Sequence, residues 1–357
     1  MTAATMKAAV LHAVGDVRFE DVPRPVPAAG EVLLRVAACG VCGSDLDRMF
    51  VKGTYAFPTI CGHEFSAWVA EIPEGTATDL RVGDLVTVPP MLPCFRCDPC
   101  HQGEFSLCED YDYYGSRRDG AYADYVAGPA NLLLRVPQQL DPRAAAMVDP
   151  AAIALHALWR TKLRTGHRVA VLGGGGPIGL FAVQWARIAG ASEILAVDVN
   201  DEKCALAASV GATSTATSVE RALEVAGRGF DVVVDTTGVP TIEDAGVALT
   251  ARHGDYVFIG IPNRPVEFGK DNFARFMRLE INLIGAWNSF SAPFPGAEWT
   301  TTVEKLASGE LQWEFMITHE LPIEQVGPFV KQMKERTVVS SKVLFLPQWP
   351  AGAGKES

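Results

Sequence analysis

The stretch VAVLGGGGPIGLFAVQWARIAG, residues 169–190, decides the architecture. Four apolar residues, Val169–Leu172, run into four glycines, and Pro177 then opens a segment with helical apolar spacing. Strand, tight turn and helix in succession form the unit from which parallel sheets are built. Within it, Gly174-Gly175-Gly176-Pro177-Ile178-Gly179 has the spacing G-x-G-x-x-G. Glycines at these places let backbone approach a pyrophosphate, whose charge the helix N-terminus stabilises. The next apolar run, EILAV, ends at Asp198, 19 residues beyond Gly179. A carboxylate there accepts hydrogen bonds from both adenine-ribose hydroxyls and repels a 2′-phosphate. The context predicts a dinucleotide site built by Gly174, Gly176, Pro177, Ile178, Gly179 and Asp198, with NAD favoured over NADP. The plainer alternative is a strand–helix turn with a capping Asp and no ligand.

Outward from this stretch the same rhythm continues. DEKCALAASVG, DVVVDTTG, TIEDAGVALT, DYVFIG, NFARFMRLE and INLIGAW alternate helix and apolar strand, as a parallel sheet covered on both faces requires. A doubly wound Rossmann domain is expected over 151–289. Before it, EVLLRVAACGV, HEFSAWVAEI, GDLVTVPP, GAYADYVAGP and NLLLRVP are short apolar runs broken by Gly and Pro. They predict an antiparallel, barrel-like domain over 1–150, with a loop-rich insertion near 90–118. After about Ser289 come two helices, EWTTTVEKLASG and PIEQVGPFVKQMKE, and a closing strand, KVLFLP. These cannot bury a core alone, so the segment 290–357 is expected to return to the first domain, with PAGAGKES a frayed end.

Composition sets the outer bounds. A chain of 357 residues that is 48% hydrophobic and 20% charged is an ordinary globular protein of two domains. Its net charge of −11 argues against a nucleic-acid partner. No charged residue falls between Val169 and Ala186, but the glycines, Pro177 and Gln184 speak against a membrane span. The opening MTAATMKAAVLHAVGD has no clear cleavage site, so a cytoplasmic location is expected.

Two sets of residues point to metal. Cys94-x2-Cys97-x2-Cys100-x7-Cys108 puts four thiols within 15 residues. Such closely spaced soft ligands suit a closed, structural Zn–S4 site, with an iron–sulfur cluster or unrelated cysteines as alternatives. Cys42 in GVCGSD, His63 in CGHEFSAW and Asp149 offer thiolate, imidazole and carboxylate. Three ligands leave a fourth position open, as catalytic zinc requires. Taken singly, these residues also read as a buried thiol, a loop histidine and a helix cap. Cys39, Cys61 and Cys204 read as buried structural thiols.

Taken together, GVCGSD, GHEFSAW, the four-cysteine lobe, GGGPIGL and VDTTGVP resemble the medium-chain zinc dehydrogenases over essentially the whole chain. LPCFRCDPC, YGSRRDGAYADY and GAWNSFSAPFPGAEW are most similar to the sorbitol dehydrogenase-like branch, the galactitol-1-phosphate 5-dehydrogenases in particular. The resemblance implies a GroES-like catalytic domain beside the Rossmann domain, and hydride transfer between a small alcohol and NAD. It also implies one catalytic zinc on Cys42, His63 and Asp149, with Glu64 as alternate ligand or holder of the zinc water, and one structural zinc. Ser44 matches the hydroxyl that relays the substrate proton, and Lys203 the residue on the adenosine ribose. Ile259, Ile261, Ala286 and Asn288 match segments flanking the nicotinamide. A homo-oligomer, dimer or tetramer, is expected. The chain departs from the pattern at Asp149, where polyol dehydrogenases usually have Glu, at Asp47, where many members have a relay His, and at Gly173, which lengthens the glycine run. Arg117-Arg118 reads as solvated surface charge or as a clamp for a substrate phosphate. The other readings are a dehydrogenase of an unphosphorylated polyol, cyclitol or secondary alcohol, and a non-catalytic NAD-binding protein.

Overall fold

The computed structural model describes residues 4–262 and 264–348, so the expectation for the terminal PAGAGKES lies outside the described residues. Two compact units are present. One comprises the described residues up to Asp149 together with those from Phe290 onward, the other Pro150–Ser289.

In the second unit the strands Arg168–Leu172, Glu193–Val197, Ser214–Ala216, Phe230–Asp235, Thr250–Phe258 and Asn282–Gly285 are all parallel. Numbered within this unit their order is 3-2-1-4-5-6, the doubly wound arrangement in which the first strand lies centrally. That position explains the unbroken VAVL run: Val169, Ala170, Val171 and Leu172 are all 0% exposed because both faces are covered. Leu172, Leu195, Phe230, Val247 and Tyr256 share one core. The uncharged stretch from Val169 to Ala186 thus divides into strand, turn and the helix Pro177–Ile188. No helix among the described residues is long and apolar enough to cross a membrane.

The first unit is β-rich. A hairpin, Thr5–Ala13 with Asp16–Pro23, pairs on with Thr59–Ile60. The larger sheet is centred on Glu31–Gly40, which pairs antiparallel with Glu64–Glu71 and Tyr125–Pro129. Val10, Leu34, Phe65, Val86, Tyr122 and Phe345 join both sheets in one core. The tail supplies two strands to this sheet: Leu344 and Phe345 pair antiparallel with Gly40 and Cys39, and Ile317–Pro322 runs parallel beside Lys342–Leu346. The sheet is therefore mixed, and Ile317–Pro322 is a strand that the sequence pattern did not announce. Its residues ITHELP alternate between partial burial and exposure at the sheet edge, so no apolar run marks it. Within 90–118, Met91–Leu92 pairs with Asp112–Tyr113 and closes the base of the cysteine lobe.

Candidate active site

The strand Glu31–Gly40 delivers Cys42 to the N-cap of a short helix, Gly43–Asp47. The Cys42 N–H donates to Asp45 Oδ2 at 3.1 Å, the reach-back of a capping box. Asp45 is 0% exposed and collects further donors, with the Tyr122 hydroxyl at 3.1 Å and Arg48 Nη1 at 3.3 Å. His63 sits just before the strand Glu64–Glu71, and its Nδ1 lies 3.1 Å from Asp45 Oδ1. Arg48 Nη1 stands 3.1 Å from the same nitrogen, and the carboxylate between them accepts from both. Burial alone would raise the Asp45 carboxyl, but His63 and then Arg48 hold it well below the usual carboxylate range. Burial likewise opposes charge on His63, and Asp45 outweighs it, lifting the imidazole well above its ordinary value.

With Nδ1 engaged by Asp45, Nε2 is the nitrogen left to act as a ligand, and its orientation is set. Donor atoms of Cys42, His63 and Glu64 all lie within 4.8 Å of one another. Asp149 falls outside that group, although it is buried beside it. Burial, and then the negative charge of Glu64, push the Asp149 carboxyl up to about 7. The donor set of one sulfur, one imidazole and one carboxylate at a time fits zinc with an open position. The Tyr113 ring lies 5.5 Å from the His63 ring and 5.4 Å from the Arg48 guanidinium carbon, packing this side of the group. Asp45, Arg48 and Tyr113 escaped the sequence reading. The signal for Asp45 was available, since Cys42-x-x-Asp45 is a capping-box spacing. Lys342 also escaped it: its ammonium, 2% exposed, contacts Glu64 Oε2 and donates to the Val41 carbonyl at 3.3 Å.

Ser44 lies half-buried in the helix that follows Cys42. Asp47 faces lysines, with Lys334 Nζ at 3.1 Å and Lys52 Nζ at 3.4 Å. Cys61 and Cys39 are buried; burial first, and then the Asp45 charge, pushes both thiols up, which makes them poor nucleophiles.

The four lobe cysteines also bring their sulfurs within 4.8 Å of one another. A zinc–sulfur bond of about 2.3 Å gives a tetrahedron edge of about 3.8 Å. Cys97 Sγ and Cys108 Sγ are 3.9 Å apart, so the lobe fits that ion. The Cys94 N–H points at Cys108 Sγ at 3.2 Å. The backbone N–H of Arg96 brings the Cys94 thiol down to about 6, whereas burial raises Cys100 to about 12.

In the second unit the glycine turn is packed to its limits on one side and open on the other. Gly173 has φ +77°, and a Cβ there would lie 2.5 Å from Thr236 Oγ1, so the additional glycine of the run is required by the turn. A Cβ on Gly179 would lie 2.1 Å from the Gly173 carbonyl, which is the close strand–helix approach the spacing implied. At Gly176, N-cap of the helix Pro177–Ile188, the nearest atom would be 3.5 Å away. A pyrophosphate fits that open side, with Ile178 in the same first turn. Asp198 follows the strand Glu193–Val197 and receives the N–H groups of Gly175 at 2.9 Å and Val199 at 2.7 Å, with Lys203 Nζ at 3.5 Å. Ile259 N–H donates to the Asp235 carbonyl at 2.8 Å, and Ala286 N–H to that of Phe258 at 3.0 Å. Ile261 is exposed, and Asn288 takes a left-handed backbone conformation, φ +54°.

The two arginines separate. Arg118 pairs with Glu31 at 2.7 Å and Asp112 at 3.6 Å and lies over Tyr114, so its charge is already neutralised and it is withdrawn from phosphate clamping. Arg117 is exposed, held between the rings of Tyr55 at 4.3 Å and Tyr111 at 4.4 Å.

Residues 28–138 match the family model of the alcohol dehydrogenase GroES-like domain, and residues 177–308 that of the zinc-binding dehydrogenase. Galactitol 1-phosphate 5-dehydrogenase of Escherichia coli K12 is 33% identical over 349 residues, covering 96% of this chain and 100% of its own. The crystal structure of galactitol-1-phosphate dehydrogenase from Escherichia coli superposes with a TM-score of 0.90 at 33% identity, over 96% of this chain and 100% of that one. Sorbitol dehydrogenase of Bacillus subtilis 168 is 31% identical over 360 residues, covering 96% and 97%. A Sinorhizobium meliloti 1021 chain assigned as a zinc-binding dehydrogenase and bound to NADP has a TM-score of 0.86 at 29% identity, over 96% and 100%.

Proposed function

The chain belongs to the medium-chain, zinc-binding alcohol and polyol dehydrogenases, and from that premise we propose that it oxidises a secondary hydroxyl of a polyol or sugar-alcohol phosphate with NAD. The observation that carries this reading is the convergence of Cys42, His63 and Glu64 within 4.8 Å, with His63 Nδ1 tied to Asp45. Cys42 and His63 would hold the catalytic zinc together with a carboxylate; the resemblance gives that place to Asp149 with Glu64 as the alternate, and the grouping of Glu64 with Cys42 and His63 supports the reverse assignment, while Cys94, Cys97, Cys100 and Cys108 would hold the structural one. Zinc at the first set supplies the positive charge that makes an alcohol hydroxyl more acidic. Asp45 fixes the tautomer and direction of His63, and the Ser44 hydroxyl passes the substrate proton outward. Gly174, Gly176, Pro177, Ile178 and Gly179 form the pyrophosphate turn. Asp198 and Lys203 take the adenosine ribose, and Ile259, Ile261, Ala286 and Asn288 flank the nicotinamide. NAD is preferred because Asp198 puts a carboxylate where NADP carries its 2′-phosphate.

Arg117 is the residue through which a substrate phosphate is recognised, since its guanidinium is exposed and pre-oriented between Tyr55 and Tyr111. A second reading, an unphosphorylated polyol or secondary alcohol, is favoured by Arg118, whose pairing with Glu31 leaves only one of the two cations for a phosphate. NADH absorbance with matched pairs of free and phosphorylated hexitols decides between them. The expected outcome is a better kcat/KM for the phosphorylated alcohol, a gap of roughly tenfold that Arg117→Ala closes while leaving the free alcohol unchanged. Faster oxidation of free hexitols by the wild type would establish the second reading. No NADH from either series would remove the proposal.

A further inference from the structure

A buried serine joins the four-cysteine lobe to the start of the tail. Ser106 Oγ accepts from the Phe290 N–H at 2.9 Å and donates to the Phe290 carbonyl at 3.2 Å. The Ser106 N–H adds a bond to that carbonyl at 3.4 Å. Phe290 is buried outside every strand and helix, so its backbone groups find in Ser106 the partner that burial demands. Its ring stacks on Phe294 and on Trp299, with centroids 5.5 and 5.6 Å away. Phe294 in turn meets the lobe rings Phe105 and Phe95 edge-on, at 5.7 and 6.0 Å. Gly103 lets the lobe close on this segment, because a Cβ there would lie 2.8 Å from the Ala292 Cβ.

These contacts fix one end of a short span. At its other end the Ala286 N–H is bonded to the Phe258 carbonyl, where the strand Thr250–Phe258 finishes. Residues 287–289 alone lie between that bond and Phe290. Asn288, in their middle, holds the left-handed backbone conformation, and Ser289 beside it is fully buried. Such a conformation persists where its surroundings enforce it. The lobe's grip depends on its sulfurs: Phe95 stands between Cys94 and Cys97, and Phe105 and Ser106 between Cys100 and Cys108.

We propose that Ser106 is a positioning residue for the cofactor. By holding Phe290 it fixes, through the chain itself, the segment 286–288, and so links the lobe zinc to binding of the nicotinamide. The inference rests on the reading of Ala286 and Asn288 as residues that flank that ring.

ADP-ribose, which lacks the nicotinamide, separates this role from general stabilisation. Ser106→Ala leaves the Phe290 N–H without its side-chain partner. It should weaken NADH binding, read by fluorescence titration, on the order of tenfold. ADP-ribose affinity, read by calorimetry, and zinc content should stay at wild-type values. Ser106→Thr, which keeps the hydroxyl, should restore NADH binding. Cys97→Ser, measured well below its melting temperature, should show the same selective loss. Phe105→Leu should act in the same direction and serves if Ser106→Ala does not fold. Unchanged NADH affinity in the Ser106 and Cys97 variants, or an equal loss of NADH and ADP-ribose, would overturn the inference and leave the lobe a stabilising element only. Ala286→Leu tests the reading beneath it, since crowding the segment with the lobe intact should weaken NADH and spare ADP-ribose. If that variant binds NADH as the wild type does, the nicotinamide assignment fails, and the inference with it.

Discussion

The two cysteine-containing metal sets of the first unit are built in opposite ways. The lobe draws all four sulfurs from residues 94–108, and its thiols are adjusted mainly by burial, by backbone N–H groups and by one another. The other set combines Cys42 with His63 and Glu64, and buried charges surround it: Asp45 and Arg48 from the turn that follows Cys42, and Lys342 from the far end of the chain. A closed site of four like donors needs only local spacing. A site with an open position keeps fewer protein ligands, here unlike ones, and each buried charge among them needs a partner.

The largest expected effects test that division of labour directly. Cys42→Ser should abolish turnover while the lobe keeps its zinc and the melting temperature stays near that of the wild type. Cys97→Ser should lose the lobe zinc and lower the melting temperature by about 10 °C, because structural zinc contributes folding free energy. Elemental analysis with calorimetry on both variants checks this, and a single zinc in the wild type would break the comparison at its root. The nucleotide turn offers a third case, local like the lobe but dependent on one carboxylate. Asp198→Ser should narrow the preference for NAD over NADP by on the order of a hundredfold in kcat/KM, since placing like charges together costs several kcal/mol.

The difference between the two sets also governs what could be read from the chain alone. Cys94-x2-Cys97-x2-Cys100-x7-Cys108 and the glycine turn are legible because contact in space follows spacing in sequence. Cys42, His63 and Glu64 were legible as a motif. Their supports were not equally so: Asp45 follows from a local capping rule, whereas Lys342 stands 278 residues from the Glu64 it contacts and is marked only as a lysine opening an apolar run. The alternation after Asp149 revealed the parallel sheet, while the edge strand Ile317–Pro322 stayed hidden because Thr318 and Glu320 are exposed and none of its residues is fully buried.

Smaller effects sharpen the comparison at its borders. Asp45→Asn keeps the shape of the group that orients His63 and removes its charge. It should weaken metal binding at the Cys42 set by about 10–100-fold, read by chelator competition, without touching the lobe. Around the lobe the charges are exposed: Arg96 pairs with Asp110 at 75% and 65% side-chain exposure. Asp110→Asn should change the melting temperature by no more than about 1 °C and leave both zinc ions in place, because exposed ion pairs contribute little. A large loss of lobe zinc in that variant would show that the lobe, too, relies on charges outside its four sulfurs.

The pairing of Gly40 with Leu344 has a consequence during synthesis. A ribosome adding about 5–20 residues per second needs roughly 15–60 s to travel between these two positions. Through that interval the Cys39–Gly40 end of the central strand waits with one edge unpaired, and Glu64 waits without its ammonium. Residues 150–289 are translated in full meanwhile. Unpaired strand edges recruit other chains, so the nascent protein is open to misassembly two residues from Cys42 until its last strand arrives.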